Sequence, residues 1–326
     1  MKTNTHFFIA CAISLFYFFI CNNTGMCAQK LPTIDSQISV FSKVVSPTPP
    51  QSTKFCNKTY NLRRFDARER LEREMLSFCY MHSTTLQIIK KANRFFPLIV
   101  PILKKEGIPE DFKYLMIIES NLNTKAHSRA GAAGLWQLMP TTGRELGLEI
   151  NANIDERYNI YKATQAACKY LKKRYVHLHD WGLVAQSYNA GEASIAQEIE
   201  KQHSKDPLDL YLNTETSRYF FRIIACKLLF QDPSTFGFYL KSSQLYPQLD
   251  YTDKTVTYPI SDLARWAQKH GTTYSLLKRS NPWLLQNTLQ NKSHRTYIIK
   301  IPTKSSIYYI PSETKPYNSI WVIPHQ

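Results

Sequence analysis

From Asn57 to Asp232 the apolar residues recur three and four positions apart, with few of the alternations that a sheet would need. That period buries one stripe along each helix, so the segment predicts a mainly α domain. The spacing places helices over Arg68–Tyr80 and Thr84–Phe95, with Pro97 opening another because proline suits a first helical turn better than an interior. Phe112–Ser120 follows Gly107-Ile108-Pro109, with Glu110 and Asp111 at its start, where the helix dipole favours acids. Lys162–Val176, Leu183–Tyr188, Ala193–Lys201 and Thr216–Phe230 complete the helical set. After about Tyr251 the character changes. Thr255–Tyr258 and Thr296–Ile301 read as strands, with Ser261–Lys269 and Thr273–Arg279 as short helices between them, which makes a small βααβ unit. Tyr308–Ile310 and Ser319–Ile323 are candidates for two further short strands.

One residue stands out against this pattern. Phe112, Leu115, Met116 and Glu119 lie at i, i+3, i+4 and i+7, so a helix puts the Glu119 carboxylate in the stripe that faces the core. Burial disfavours the charged form and raises the pKa. Two readings follow: a Glu tied down by hydrogen bonds at a helix end, or an acid kept protonated near neutral pH and ready to donate.

With 326 residues the chain is long enough for two folded units. Lys2, the uncharged apolar run Phe7–Ile20 and the small residue Ala28 read as a secretory signal over 1–28, too short for a bilayer span. A stretch rich in Ser, Thr and Pro, with Pro47, Pro49 and Pro50, reads as an extended tether over 29–56. Two units are expected beyond it, at 57–245 and 251–326. The chain is expected to be exported, periplasmic or attached to the cell envelope, and monomeric. Lipidation at Cys21 or Cys27, and with it an outer-membrane association, stays open.

The formal net charge is +16, and loss of Lys2 leaves 16 − 1 = +15, so the mature chain favours an anionic partner. Export excludes nucleic acid and leaves the cell wall or an anionic membrane surface. Cys56, Cys79, Cys168 and Cys226 remain after cleavage, without metal-type spacing, and their pairing cannot be read from sequence. His177-Leu178-His179 lacks an acidic partner of the HExxH kind, and no nucleophile elbow or phosphate loop is present. Neither a metal nor an organic cofactor is expected.

Three further segments carry chemistry: Ser128-Arg129-Ala130-Gly131-Ala132-Ala133-Gly134-Leu135-Trp136-Gln137, Ser187-Tyr188-Asn189-Ala190-Gly191 and Glu215-Thr216-Ser217-Arg218-Tyr219. The glycines allow sharp turns, and Trp, Tyr, Gln and Asn supply the flat faces and amide groups of a sugar site. Singly each has a plainer reading, as a capped helix end or a core tryptophan. Together and in this order they resemble the four motifs of the goose-lysozyme-like lytic transglycosylases, glycoside hydrolase family 23, over about Arg68–Phe238. The nearest likeness is to the membrane-bound lytic transglycosylase D group. Gly107-Ile108-Pro109, Asp155-Glu156-Arg157, Ala163-Thr164-Gln165-Ala166-Ala167 and Asp180-Trp181 add to it. Ser187 stands where that family usually has Ala.

The resemblance implies a lysozyme-like helical domain with Glu119 as general acid and then base. It implies Ser128, Gln137, Met139, Tyr188 and Asn189 as groups lining the substrate site, and Glu215 with Tyr219 as its buttress. It implies cleavage of the MurNAc-β-1,4-GlcNAc bond of peptidoglycan glycan strands without added water, leaving 1,6-anhydro ends. The βααβ tail is similar to a degenerate LysM module that has Pro259-Ile260-Ser261-Asp262 in place of the Gly-Asp-Thr opening, and both a packing role and glycan binding are open to it. Because every proposed site residue precedes Tyr251, the tail is expected to be separable from turnover. Two rival readings remain, a muramidase of the same fold and a wall-binding scaffold with a silent site.

Overall fold

The computed structural model describes residues 44–292 and 294–323; the signal segment and the start of the tether lie outside the described residues. The tether does not extend to residue 56. Pro47 and Pro49 are buried, and Ser52–Phe55 (β1) pairs antiparallel with Lys58–Asn61 (β2), from Ser52 opposite Asn61 to Phe55 opposite Lys58. Cys56 and Asn57 both adopt positive φ, 49° and 67°, which is the two-residue turn that matches strand twist. The hairpin is held by its inward residues, Phe55 and Tyr60, both packed on Phe220.

The helices follow in the expected order: Phe65–Tyr80 (α1), His82–Lys105 (α2), Phe112–Ser120 (α3), Pro140–Glu145 (α4), Ile160–Leu178 (α5), Trp181–Ala190 (α6), Glu192–Gln202 (α7) and Thr214–Gln231 (α8). The expected break before Pro97 is absent, because α2 runs unbroken through Pro97 and Pro101. Ile88, Ile89, Ala92, Phe96, Ile99, Val100 and Leu103 form one buried face that continues past both prolines, while the prolines lie on the less buried side. Packing along that face outweighs the lost hydrogen bonds. Side-chain caps set several starts: Asn159 accepts from Tyr161 N and Lys162 N, Asp180 from Gly182 N and Leu183 N, and Asn213 from Thr216 N.

The core is built by α1, α3 and α6 against α8, with α5 against α2 and α6. Glu74, at 2% exposure, locks α1 to α8 through Arg218 (2.7 Å) and Arg222 (3.4 Å). A carboxylate buried this deeply is tolerated only because the guanidinium groups answer it.

The C-terminal part is a two-stranded antiparallel sheet, Tyr251–Val256 (β3) with Tyr297–Pro302 (β4), in register from Tyr251 opposite Pro302 to Val256 opposite Tyr297. Leu263–Lys269 (α9) and Tyr274–Ser280 (α10) cover one face around Val256, Leu263, Trp266, Leu277 and Ile299. Asp262 and Thr273 cap these helices. This module is not independent of the helical body. Ile154 belongs to its core, Asp155 N donates to the Trp283 carbonyl (3.0 Å), Leu285 N to the Asn153 carbonyl (2.9 Å) and the Tyr297 hydroxyl to Glu149 (2.9 Å).

The final residues leave the module altogether. Tyr308–Ile310 and Ser319–Ile323 are not strands; 311–313 and 319–321 are single 3₁₀ turns. Trp321 is 3% exposed, packs on Phe96 and Phe230, and donates its indole N–H to the Phe230 carbonyl (2.9 Å). Asn93 fastens the returning chain by donating to the Lys315 carbonyl and accepting from Tyr317 N. The residues from Val45 onward therefore cluster as one unit, with the tail packed on the helical body. Replacing Trp321 by Ala should cost the helical body about 3–5 kcal/mol, the usual range for a buried aromatic. Denaturant unfolding checks it, and an unchanged midpoint would show that the tail is dispensable after all.

Candidate active site

The acid stands in the last turn of a short helix. α3 stops because Asn121 and Leu122 both take left-handed φ, 49° and 55°, with Asn121 N closing on the Ile117 carbonyl. Glu119 thus meets the negative end of the helix dipole as well as an apolar surround. Burial, the largest cause, pushes its carboxyl up to about 7. The Tyr219 hydroxyl, donating to Glu119 Oε1, works in the opposite sense, and the Glu215 charge adds to the rise. Tyr219 itself is kept protonated by burial and by the neighbouring Glu119.

A loop from Ala126 to Leu138 receives Tyr188, a neighbour of the acid, and one residue holds that loop. Arg157 is 5% exposed and gripped by Asp155 (Nη2 to Oδ2, 2.6 Å), while its Nη1 donates to the carbonyls of Gly131 (2.7 Å) and Leu138 (3.0 Å). Gly134 lies directly on the Arg157 backbone. A Cβ there would stand 2.0 Å from the Arg157 carbonyl oxygen, and φ is +76°. Trp136 is fully buried and donates its indole N–H to Thr164 Oγ1 (2.9 Å), so it is a core residue that anchors the loop.

Glu119 and Tyr219 are in hydrogen-bond contact, and Tyr188 lies close enough to Glu119 for its phenol to be pushed up by that charge after burial itself. The Tyr188 hydroxyl donates to the Trp136 carbonyl (2.6 Å), tying α6 to the loop. Asn189 accepts from Thr216 Oγ1 (2.9 Å), tying α6 to α8. Ser187 is fully buried and its hydroxyl is answered by the Val184 carbonyl, so serine fits where alanine was expected.

Ser128 and Gln137 are turned inward. Ser128 Oγ accepts from Ala132 N (3.0 Å), and the Gln137 amide donates to the carbonyls of Ala126 (3.2 Å) and Gly134 (2.8 Å). Met139 is exposed ahead of Pro140. Glu215 is exposed in the first turn of α8 and accepts no hydrogen bond from a described residue, so the contacts expected of a buttress fall to Tyr219 and Thr216.

Two groups escaped the sequence reading. Tyr170 packs edge-on against Tyr188 (5.2 Å), and the Arg174 guanidinium lies 3.2 Å over the Tyr170 ring. Their i, i+4 spacing on α5 was the available signal, hidden because Arg174 ends the basic run Lys172-Lys173-Arg174. Cys56, Cys79, Cys168 and Cys226 are free thiols. Among the described residues no helix is long and apolar enough to cross a membrane, and no group of three or more His, Cys, Asp and Glu side chains could hold a metal ion.

Residues 98–210 match the family model of the transglycosylase SLT domain, and residues 252–305 match that of the LysM-like domain found at the C-terminus of soluble lytic transglycosylases. Glu119, Ser128, Gln137, Met139, Tyr188 and Asn189 fall inside the first match, and Glu215 and Tyr219 lie just beyond it. The chain is similar to membrane-bound lytic murein transglycosylase D of Escherichia coli K12, with 28% identity over 227 residues covering 68% of this chain and 49% of that protein. It thus spans about half the length of that curated relative. Among solved structures it matches the 70 kDa soluble lytic transglycosylase of E. coli at 16% identity, covering 56% of this chain and 31% of that one, with a TM-score of 0.40. Lytic transglycosylase Slt of Pseudomonas aeruginosa, solved as an inactive mutant, matches at 18% identity, covering 50% and 32%, with a TM-score of 0.34.

Two predictions follow from the geometry. Because the folded pKa of Glu119 lies above that of an unfolded carboxyl, near 4.5, the folded protein holds the extra proton between about pH 4.5 and 7. That stabilisation is complete below the unfolded value and is lost as the pH rises through 7. Glu119→Gln should therefore gain stability relative to the parent protein over this window, by at most about 3 kcal/mol at pH 8, and show no such gain at pH 4. Thermal melts at the two pH values check it, and a difference independent of pH would mean that the carboxyl is not held neutral. Gly134→Ala should lower stability by roughly 1–3 kcal/mol through strain at positive φ and displace the loop from Arg157; an unchanged melting temperature would contradict that packing.

Proposed function

We propose that this chain is a peptidoglycan lytic transglycosylase in which Glu119 alone serves as acid and base. The observation that carries the reading is a single carboxyl pushed up to about 7 and hydrogen bonded to a buried phenol. The other acids of the region are engaged elsewhere or open to solvent: Asp155 with Arg157, Glu156 with Lys162, Glu149 with Tyr297 and Arg295, while Glu145 and Glu215 are exposed. Hydrolytic glycosidases of the usual kinds need two carboxylates facing the scissile bond. With one, the substrate supplies the second partner.

Neutral Glu119 donates its proton to the glycosidic oxygen as the bond from that oxygen to C1 of MurNAc breaks. The N-acetyl oxygen of the same sugar stabilises the cationic carbon. The Glu119 carboxylate, steadied by the Tyr219 hydroxyl, then removes the proton of the C6 hydroxyl, and that oxygen bonds to C1. Atoms balance without water, and Glu119 ends protonated. Tyr188 and Asn189 act by joining α6 to the loop and to α8. Ser128, Gln137 and Met139 shape the loop edge that meets the glycan, with Glu215 tuning Glu119 by its charge.

In this reading the helical body cuts and the module from Tyr251 braces it. The basic balance of the chain suits the anionic wall, and the signal read over 1–28 would suit a place in the cell envelope. The likeness to a relative named as membrane-bound supports that location. A silent scaffold would have no use for an acid held neutral against a buried tyrosine.

Digestion of purified peptidoglycan followed by mass spectrometry tests the reading. Products should carry 1,6-anhydromuramyl ends, lighter by one water than hydrolysis products, and a folded Glu119→Gln variant should lose about 10² to 10⁴ in rate. Predominantly reducing MurNAc ends would support a muramidase with Glu215 activating water, and undiminished turnover by the variant would remove Glu119 from the chemistry.

A further inference from the structure

The outer face of the two-stranded sheet bounds a cavity that the proposed reaction does not use. β4 turns Tyr297, Ile299 and Ile301 into the module core, so Ile298 and Lys300 point the other way, toward Arg94 and Phe95 of α2 and the segment 158–162. The space between has a volume of about 390 Å³, within the range of small-molecule sites. Ser280 at the end of α10 and the following Asn281, Pro282 and Trp283 close another side of it, and no residue proposed for the cutting reaction lines it.

Its walls combine flat rings with hydroxyls. Phe95, Tyr158, Tyr161 and Tyr251 line it, with the Lys300 ammonium 4.4 Å over the Tyr161 ring, while Trp283 and Tyr297, stacked on each other at 5.6 Å and largely buried in the module core, border it. Aromatic faces pack against the apolar face of a sugar ring, and phenols at the rim can answer its hydroxyls. The charges of the lining are also informative. Lys162 pairs with Glu156, and Lys300 lies 2.8 Å from Asp253, so each of those cations is answered by an acid. Arg94 is not. Its Nε donates to the Pro247 carbonyl (2.9 Å) and its guanidinium lies 5.5 Å over the Tyr246 ring, but no described carboxylate pairs with it and no hydrogen bond to a described residue engages its terminal nitrogens. Burial holds its guanidinium below the usual arginine value, as expected of a cation lacking a counter-charge. The lining therefore carries one uncompensated positive charge, presented as a planar fork that matches a carboxylate.

We propose that this cavity binds a single sugar unit bearing one carboxylate, with the sugar face on the aromatic wall and the carboxylate on Arg94. N-acetylmuramic acid and the uronic acids belong to this chemical class. The proposal does not rest on the cutting reaction, and it describes a site on the sheet and α2 rather than in the Glu119 region.

Isothermal titration of the full chain with N-acetylmuramic acid, glucuronic acid and neutral N-acetylglucosamine tests it. Both acids should bind saturably, and the neutral sugar should bind at least about tenfold more weakly, as loss of a charge-assisted pair implies. Arg94→Gln should weaken the acids by a similar factor. Because Arg94 also fastens Pro247, a second variant separates binding from folding: Ile298 is 52% exposed, and Ile298→Glu places a competing carboxylate inside the cavity without disturbing the core. It too should weaken the acids at least about tenfold while the melting temperature stays unchanged. Equal affinity for acidic and neutral sugars, undiminished affinity in Ile298→Glu, or no saturation at tens of millimolar would each overturn the proposal. None of these outcomes bears on the products formed from peptidoglycan, so failure here and failure of the catalytic reading are told apart.

Discussion

The Asp155–Arg157 pair is the contact on which the rest of the arrangement depends. Arg157 presents both ends of its guanidinium fork to fixed partners, the Asp155 carboxylate on one side and two loop carbonyls on the other. A lysine could not do this, because a point charge on a flexible stem lacks the planar fork. Being buried, the pair is costly to desolvate, and the cost is offset only while every donor is answered. Around it the loop closes as a set of backbone contacts in which Gly134 has no room for a side chain.

From that pair, connections run both ways. Through Gly131 and Leu138 it fixes the loop whose Trp136 carbonyl receives Tyr188, and Tyr188 stands beside the Glu119 charge. Through the Asp155 amide it reaches the Trp283 carbonyl of the C-terminal module. The contacts between the module and this segment include backbone hydrogen bonds and buried side chains, the kind of contact that transmits position well. This favours bracing as the role of the βααβ unit at its 149–155 face, where loop residues that could otherwise meet a glycan are occupied by Asn153 and Glu149.

Glu119 shows how a helical bundle raises an acid's pKa without a charged neighbour as the main cause. Position in the last turn, an apolar surround and a tyrosine at the carboxylate leave the neutral form favoured while keeping one hydrogen bond ready for the anion. The bundle can hold such a group because its stability is supplied elsewhere, by Glu74 with its arginines and by the aromatic cluster of Phe96, Phe230 and Trp321.

The helices were legible in the sequence because their information is local: a period of three and four, and caps such as Asn159, Asp180 and Asn213 within three residues of the amides they serve. The place of Glu119 in a buried stripe was equally local, and so was the order of the motif segments around it. What the sequence could not show depends on partners far along the chain. The hairpin at residues 52–61 exists because Phe220 receives Phe55 and Tyr60, and α2 runs through Pro97 because a continuous face packs beneath it. Trp321 belongs to the helical core only because Phe230 lies where the chain returns, and Arg174 joins the site only because Tyr170 meets Tyr188 across two helices. Local backbone preference and periodicity thus determined the elements and the acid. Tertiary structure alone decided which distant groups answer that acid, since burial and hydrogen bonding between remote residues leave no fixed spacing to read.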